Sequence, residues 1–125
     1  MKILITGCKG VVGSKLLEQL KKNGHKVFGI DLMHTSDNYG HGLGSVENQD
    51  YFRCDIGEYR QIRSVIEFVK PDVVYNCAAE FGRWNGEHFY EQVWRTNTVG
   101  LKHILRLQEE HRFRLVQCST SEVYG

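Results

Sequence analysis

Lys2 to Thr6 is a short, β-rich apolar run that breaks into Gly7-Cys8-Lys9-Gly10-Val11-Val12-Gly13 and passes from there into a helical pattern. A strand that turns on glycines into a helix has few ways to continue, because the helix must fold back onto the strand's sheet and hand over to a parallel neighbour. Each glycine has a physical task. Gly7 lets the chain leave the strand in a tight turn. Gly10, lacking Cβ, opens the backbone to a pyrophosphate, and Gly13 lets the helix pack closely on the strand. The helix N-terminus then presents backbone N–H groups and the positive end of its dipole to phosphate charge.

The rest of the chain repeats this alternation. Further β-rich runs fall at Lys26 to Asp31, Tyr51 to Cys54, Asp72 to Cys77 and Arg114 to Ser119, separated by helical spacing. Val12, Leu16 and Leu20 predict a first helix from about Val11 to Asn23, which Gly24 terminates in a left-handed conformation. Ile62, Val65, Ile66 and Val69 predict a second, stopped by Pro71. A third pattern runs from about Glu87 to Glu110, with Val93, Asn97, Gly100 and Ile104 on one stripe. Two long loops interrupt the pattern, Leu32 to Asn48 and Glu80 to Gly86, and loops of that length are covers or mobile segments. The reading is one α/β domain over residues 1–125, with no internal repeat or linker.

Composition removes several classes of function. Sixteen Lys+Arg against 15 Asp+Glu give a net charge of +1, without the basic excess that draws proteins to nucleic acid or anionic membranes. No apolar run approaches the ~20 residues of a bilayer span, and Ile3 to Ile5 is too short for a signal-peptide core, so the chain reads as cytoplasmic. Cys8, Cys54, Cys77 and Cys118 are scattered without a C-x-x-C pair, which reads as reduced, half-buried thiols and not as a metal site.

The spacing G-x-x-G-x-x-G departs from the general G-x-G-x-x-G fingerprint and draws its weight from context. The second run ends in Asp31, where a carboxylate can accept both ribose hydroxyls of an adenosine. Asp31 repels a 2′-phosphate and favours NAD, whereas Lys9 could attract that phosphate and favour NADP. Asp31 stands directly against the ribose, so NAD is the expected cofactor.

These residues resemble the extended short-chain dehydrogenase/reductase family, the NAD-dependent epimerases, dehydratases and decarboxylases of nucleotide sugars. Beyond the glycine turn, Asp55-Ile56 resembles the family's adenine-contacting segment, and Asn76-Cys77-Ala78-Ala79 its N-x-A-A segment. Asn97-Thr98-Val99-Gly100 resembles the helix motif with a structural Asn, and Cys118-Ser119-Thr120-Ser121-Glu122-Val123-Tyr124-Gly125 resembles the segment that ends strand five. The resemblance implies a Rossmann-like doubly wound parallel sheet of order 3-2-1-4-5, truncated relative to the family. It implies a cofactor cradle of Gly7, Gly10, Val11, Val12, Gly13, Asp31, Asp55, Ile56, Ala78, Ala79, Asn97 and Ser119. It places Thr120 as hydroxyl donor to the sugar O4, and Glu122 as acid/base or as a solvated strand-end carboxylate. Arg83 and Trp84 either hold a substrate group or cover the core edge.

The family's chemistry also needs a tyrosine with a lysine four residues on, which lowers the phenol pKa. Here Tyr39, Tyr51, Tyr75 and Tyr90 precede Leu43, Asp55, Ala79 and Trp94 at that spacing, and Tyr59 precedes Arg63. The pair is therefore expected beyond residue 125, with the substrate lobe, and the 125 residues are expected to be inactive alone. The implied partners are a nucleotide-sugar substrate and, in a full-length protein, a second copy. Two other classes stand beside this: a dinucleotide sensor without chemistry, and redox control through an exposed, low-pKa Cys8 in the phosphate turn.

Overall fold

In the computed structural model, which describes residues 1–33, 50–81 and 87–120, five parallel strands lie in the order β3-β2-β1-β4-β5. The elements are β1 (Lys2–Thr6), α1 (Val11–Lys22), β2 (Lys26–Asp31), β3 (Tyr51–Arg53), α2 (Tyr59–Val69) and β4 (Val73–Asn76). A short helix α3 (Tyr90–Val93) then runs through a π-helical stretch (Trp94–Gly100) into α4 (Leu101–His111), and β5 (Arg114–Gln117) closes the sheet at one edge.

β1 lies at the centre, paired with β2 through Ile3↔Val27 and Ile5↔Gly29, and with β4 through Ile3↔Val73 and Ile5↔Tyr75. Its side chains alternate between two cores, as the period-2 geometry of a strand requires. Leu4 joins Ile30, Ile62, Ile66, Ile104 and Leu107 under α2 and α4. Ile3 and Ile5 join Val27 and Val73 beneath Leu16, Leu17 and Leu20 of α1. Helices thus cover both faces, which is why the central strands are apolar on both sides.

The helix ends follow the sequence closely. Gly24 has φ +83° and donates its N–H to the Lys21 carbonyl, closing α1. α2 ends one residue before Pro71's neighbour Lys70, which adopts a left-handed φ of 51°. The third helical pattern differs from expectation. It is helical from Tyr90 to His111, but its middle turn is widened into π geometry over Trp94–Gly100. Such stretches are rare and concentrate at functional positions.

Candidate functional site

The carboxyl ends of β1, β2 and β4, with the segment after β3, open onto one crevice of about 400 Å³. In an open parallel sheet this is where ligands bind, beside the point at which strand order reverses. Ten of the residues expected in the cradle line it: Gly7, Gly10, Val11, Val12, Gly13, Asp31, Asp55, Ile56, Ala78 and Ala79.

The glycine turn is built by close approach. Gly7 has φ +68°, and a Cβ there would lie 2.8 Å from the Ala78 backbone. A Cβ on Gly13 would lie 2.2 Å from the Gly7 carbonyl oxygen, so α1 leaves the strand with no room for a side chain. Gly10 is different. Its nearest neighbour to a built Cβ is the Gly7 oxygen at 3.3 Å, and it is exposed on its outer side. The fold itself barely needs this glycine, and its bare backbone leaves room for a phosphate to approach. Gly10 is also the N-cap of α1 and no side chain caps that end, so the first-turn N–H groups keep their donor capacity toward the crevice.

Asp31, at the end of β2, is held beside that turn. One carboxylate oxygen accepts the Lys9 backbone N–H at 2.8 Å and the other the Leu32 N–H at 2.8 Å. Each oxygen retains a lone pair for a ribose hydroxyl. The Lys9 ammonium lies 4.8 Å from the centre of the Tyr51 ring, a cation–π position. Turn, uncapped helix end and carboxylate together fit a dinucleotide: diphosphate over Gly10, ribose at Asp31.

The segment after β3 is fixed from the far helix. Asp55 accepts the Gly57 N–H at 2.8 Å through Oδ1 and the Arg95 guanidinium at 3.0 Å through Oδ2. Arg95 also reaches Glu58 at 2.7 Å. Ile56 is buried under Gly100, where a Cβ would come within 2.5 Å of its side chain, and its carbonyl lies 2.8 Å from His103 Nδ1. Sequence reasoning passed over Arg95, a cation on a helix whose acidic partners lie far off in the chain. It also passed over Thr96, which lines the crevice from the π-helical turn.

Asn97 is exposed and does not line the crevice. Its Oδ1 accepts the Glu80 N–H and its Nδ2 donates to the Glu80 carbonyl, both at 2.9 Å, so it holds the loop that follows Ala78 and Ala79. Deeper in the sheet, Thr6 and Asn76 are the buried polar residues among those described. The Thr6 hydroxyl bonds Asn76 Oδ1 and accepts the Ala78 N–H at 3.1 Å, while Asn76 Nδ2 donates to Gln117 Oε1 at 2.8 Å. A polar chain thus crosses β1, β4 and β5 just below the crevice floor.

Ser119 and Thr120 follow β5, exposed and outside the crevice lining. Glu122 and Tyr124 lie outside the described residues, as do Arg83 and Trp84 and most of the loop from Leu32 to Asn48. Cys8 decides against the redox alternative. It is 4% exposed, turned in against Gly29, and burial followed by the Asp31 carboxylate pushes its thiol up to about 11. An exposed, acidic thiol in the phosphate turn is therefore absent. Among the described residues no helix is long and apolar enough to cross a membrane, and no cluster of His, Cys, Asp and Glu could hold a metal ion.

Comparison with known proteins agrees with this geometry. Protein CapI of Staphylococcus aureus is 34% identical, aligned over 100% of this chain and 39% of its own length. UDP-glucuronic acid decarboxylase 1 of Danio rerio is 33% identical over 99% of this chain and 28% of its own. The chain therefore spans well under half the length of these relatives. The Bordetella bronchiseptica enzyme WbmH, solved in complex with NAD+, superposes with a TM-score of 0.78 at 26% identity, covering 99% of this chain and 40% of WbmH. The model of the NAD dependent epimerase/dehydratase family matches residues 3–125, and the chain belongs to that family, within the extended short-chain dehydrogenases/reductases.

Proposed function

We propose that this chain is the NAD-binding portion of an enzyme that acts on a nucleotide sugar through oxidation at C4. The observation that carries the reading is the crevice itself, which is lined by both the uncapped helix end behind Gly10 and the Asp31 carboxylate that the Lys9 N–H holds beside the same turn. Asp31 favours NAD over NADP, because a 2′-phosphate there would meet a carboxylate. NAD, when bound, accepts hydride from the sugar carbon. Oxidation at C4 acidifies the neighbouring C5–H, which is why a single first step leads to epimerisation, dehydration or decarboxylation. The family description and the decarboxylase among the relatives support that range without choosing within it.

In this reading Asp55 and Ile56 receive the adenine, Ala78 and Ala79 give a flat wall to the dinucleotide, and Asn97 holds that wall through Glu80. Ser119 borders the nicotinamide end, Thr120 donates to the sugar O4, and Glu122 moves a proton after oxidation. No tyrosine in these 125 residues has a lysine four positions on, so in this reading they bind NAD and by themselves turn nothing over. Isothermal calorimetry of this chain with NAD and NADP tests the reading. Binding of NAD, tighter than NADP, is expected. Absence of heat with either overturns it.

A further inference from the structure

Cys77 and Cys118 occupy the next step beyond the last paired residues of β4 and β5, Asn76↔Gln117. The ladder continues through them, since the Cys118 N–H donates to the Asn76 carbonyl at 3.1 Å. Their Sγ atoms lie 3.5 Å apart. Neighbouring strands run about 4.8 Å apart, within the Cα range of roughly 4.4–6.8 Å that a disulfide spans, so a bond requires little more than side-chain rotation. The two cysteines differ in access. Cys118 is exposed, while Cys77 is half-buried and lines the crevice immediately before Ala78 and Ala79.

We propose that Cys77 and Cys118 form a reversible dithiol–disulfide site on the rim of the crevice, oxidised by a low-molecular-weight disulfide. Cys118 is the attacking thiol. Its thiolate attacks one sulfur of the reagent disulfide, forming a mixed disulfide and releasing one reagent thiolate, which takes up a proton. Cys77 then loses its proton to solvent and attacks Cys118 Sγ. The Sγ–Sγ bond forms and the second reagent thiol leaves. Two electrons pass from the cysteines to the reagent, which ends as two thiols. Burial, and then the neighbouring Cys118, push the Cys77 thiol up to about 12, so Cys77 does not begin the exchange. Once Cys118 is in a mixed disulfide its contribution to that shift is gone, which suits Cys77 to the resolving step. The site is separate from Cys8 and Cys54, which are both buried.

The test incubates the reduced chain with oxidised glutathione and follows intact mass and a non-reducing peptide map. Loss of two hydrogens, located to a Cys77–Cys118 peptide pair, is expected. The Cys77→Ser variant should stop at a glutathione adduct on Cys118, and Cys118→Ser should acquire no adduct at Cys77. A chain that stays reduced, or that bonds through Cys8 or Cys54 instead, overturns the proposal. Its bearing on the crevice rests on the reading above, in which NAD covers the wall that Cys77 lines and slows oxidation severalfold. Equal rates with and without NAD, where calorimetry shows NAD bound, overturn that link. Absence of NAD binding in calorimetry overturns the reading of the crevice while the oxidation assay without NAD stands by itself.

Discussion

The Arg95 guanidinium reaches across from the π-helical turn to Asp55, 3.0 Å from Oδ2, and its second contact with Glu58 at 2.7 Å anchors it there. With the Gly57 N–H on Oδ1, this fixes the orientation of the carboxylate that faces the crevice. The ion pair is partly exposed, so its contribution to stability is small, within about 1 kcal/mol. Its effect belongs to binding. Arg95→Met should lower NAD affinity by roughly threefold to tenfold, about 1 kcal/mol, with little change in thermal midpoint. Calorimetry with NAD and with its hypoxanthine analogue separates roles: if Asp55 reads the adenine amino group, the variant loses discrimination between the two ligands. Unchanged affinity for both would show that Asp55 needs no anchor.

In the proposed reading Asp31 carries the choice of cofactor. Asp31→Ala removes the acceptor for ribose hydroxyls and leaves the Lys9 and Leu32 N–H groups without their carboxylate partner. NAD affinity should fall about tenfold or more, since hydrogen bonds to a charged acceptor are worth roughly 1.5–3 kcal/mol. NADP should lose less, because the carboxylate that repels its 2′-phosphate is gone. The ratio of the two dissociation constants, measured by calorimetry at fixed salt, is the check. A ratio unmoved by the substitution would place the ribose elsewhere.

How far these features were legible before the structure depends on which physical signal each leaves in a sequence. The glycine turn, the five strands and Gly24 are local, fixed by φ, by periodicity and by the loss of a side chain, and each stands where the sequence placed it or within a few residues. The π-helical stretch was not legible. It changes the hydrogen-bond step over one turn, and a search at 3.6 residues per turn reads through it, although it is this turn that carries Arg95, Thr96 and Asn97 to three different parts of the site. Arg95 reads as a solvated charge until its partner, 40 residues away, is brought beside it. The Cys77–Cys118 contact depends on β4 and β5 being neighbours, which no spacing rule for cysteines contains. For Cys8 the sequence left open a redox role that needs an exposed thiol beside the half-buried reading, and the packing against Gly29 decides it by turning the thiol inward.

Glycine substitutions separate the needs of the fold from those of a ligand. Gly13→Ala places a Cβ 2.2 Å from the Gly7 oxygen, a backbone atom that cannot yield, and should cost about 2 kcal/mol or more in urea unfolding. Gly10→Ala meets its nearest atom at 3.3 Å in an ordinary extended conformation, φ −76° and ψ 175°, and should cost only about 1 kcal/mol, part of it from a poorer N-cap. Its effect on NAD should be far larger, at least tenfold in affinity, because in the proposed reading the new methyl stands where the diphosphate approaches. A Gly10→Ala chain that binds NAD as before would move the phosphate off this turn.

Thr6 and Asn76 make a different kind of demand, since both are buried and each supplies the other's partner. Thr6→Val leaves the Ala78 N–H and Asn76 Oδ1 without their hydroxyl, which should cost about 1–3 kcal/mol despite the near-equal volume. Asn76→Val removes the link to Gln117, whose exposed side chain turns to water, and leaves the Thr6 hydroxyl proton without its acceptor while the oxygen still accepts the Ala78 N–H. Replacing both removes most of the unsatisfied groups at once. The double variant should therefore be less destabilised than the sum of the singles, with a coupling of about 1 kcal/mol or more from urea midpoints. Strict additivity would mean that the two side chains stabilise β1 and β4 independently, and that the polar chain beneath the crevice is not a unit.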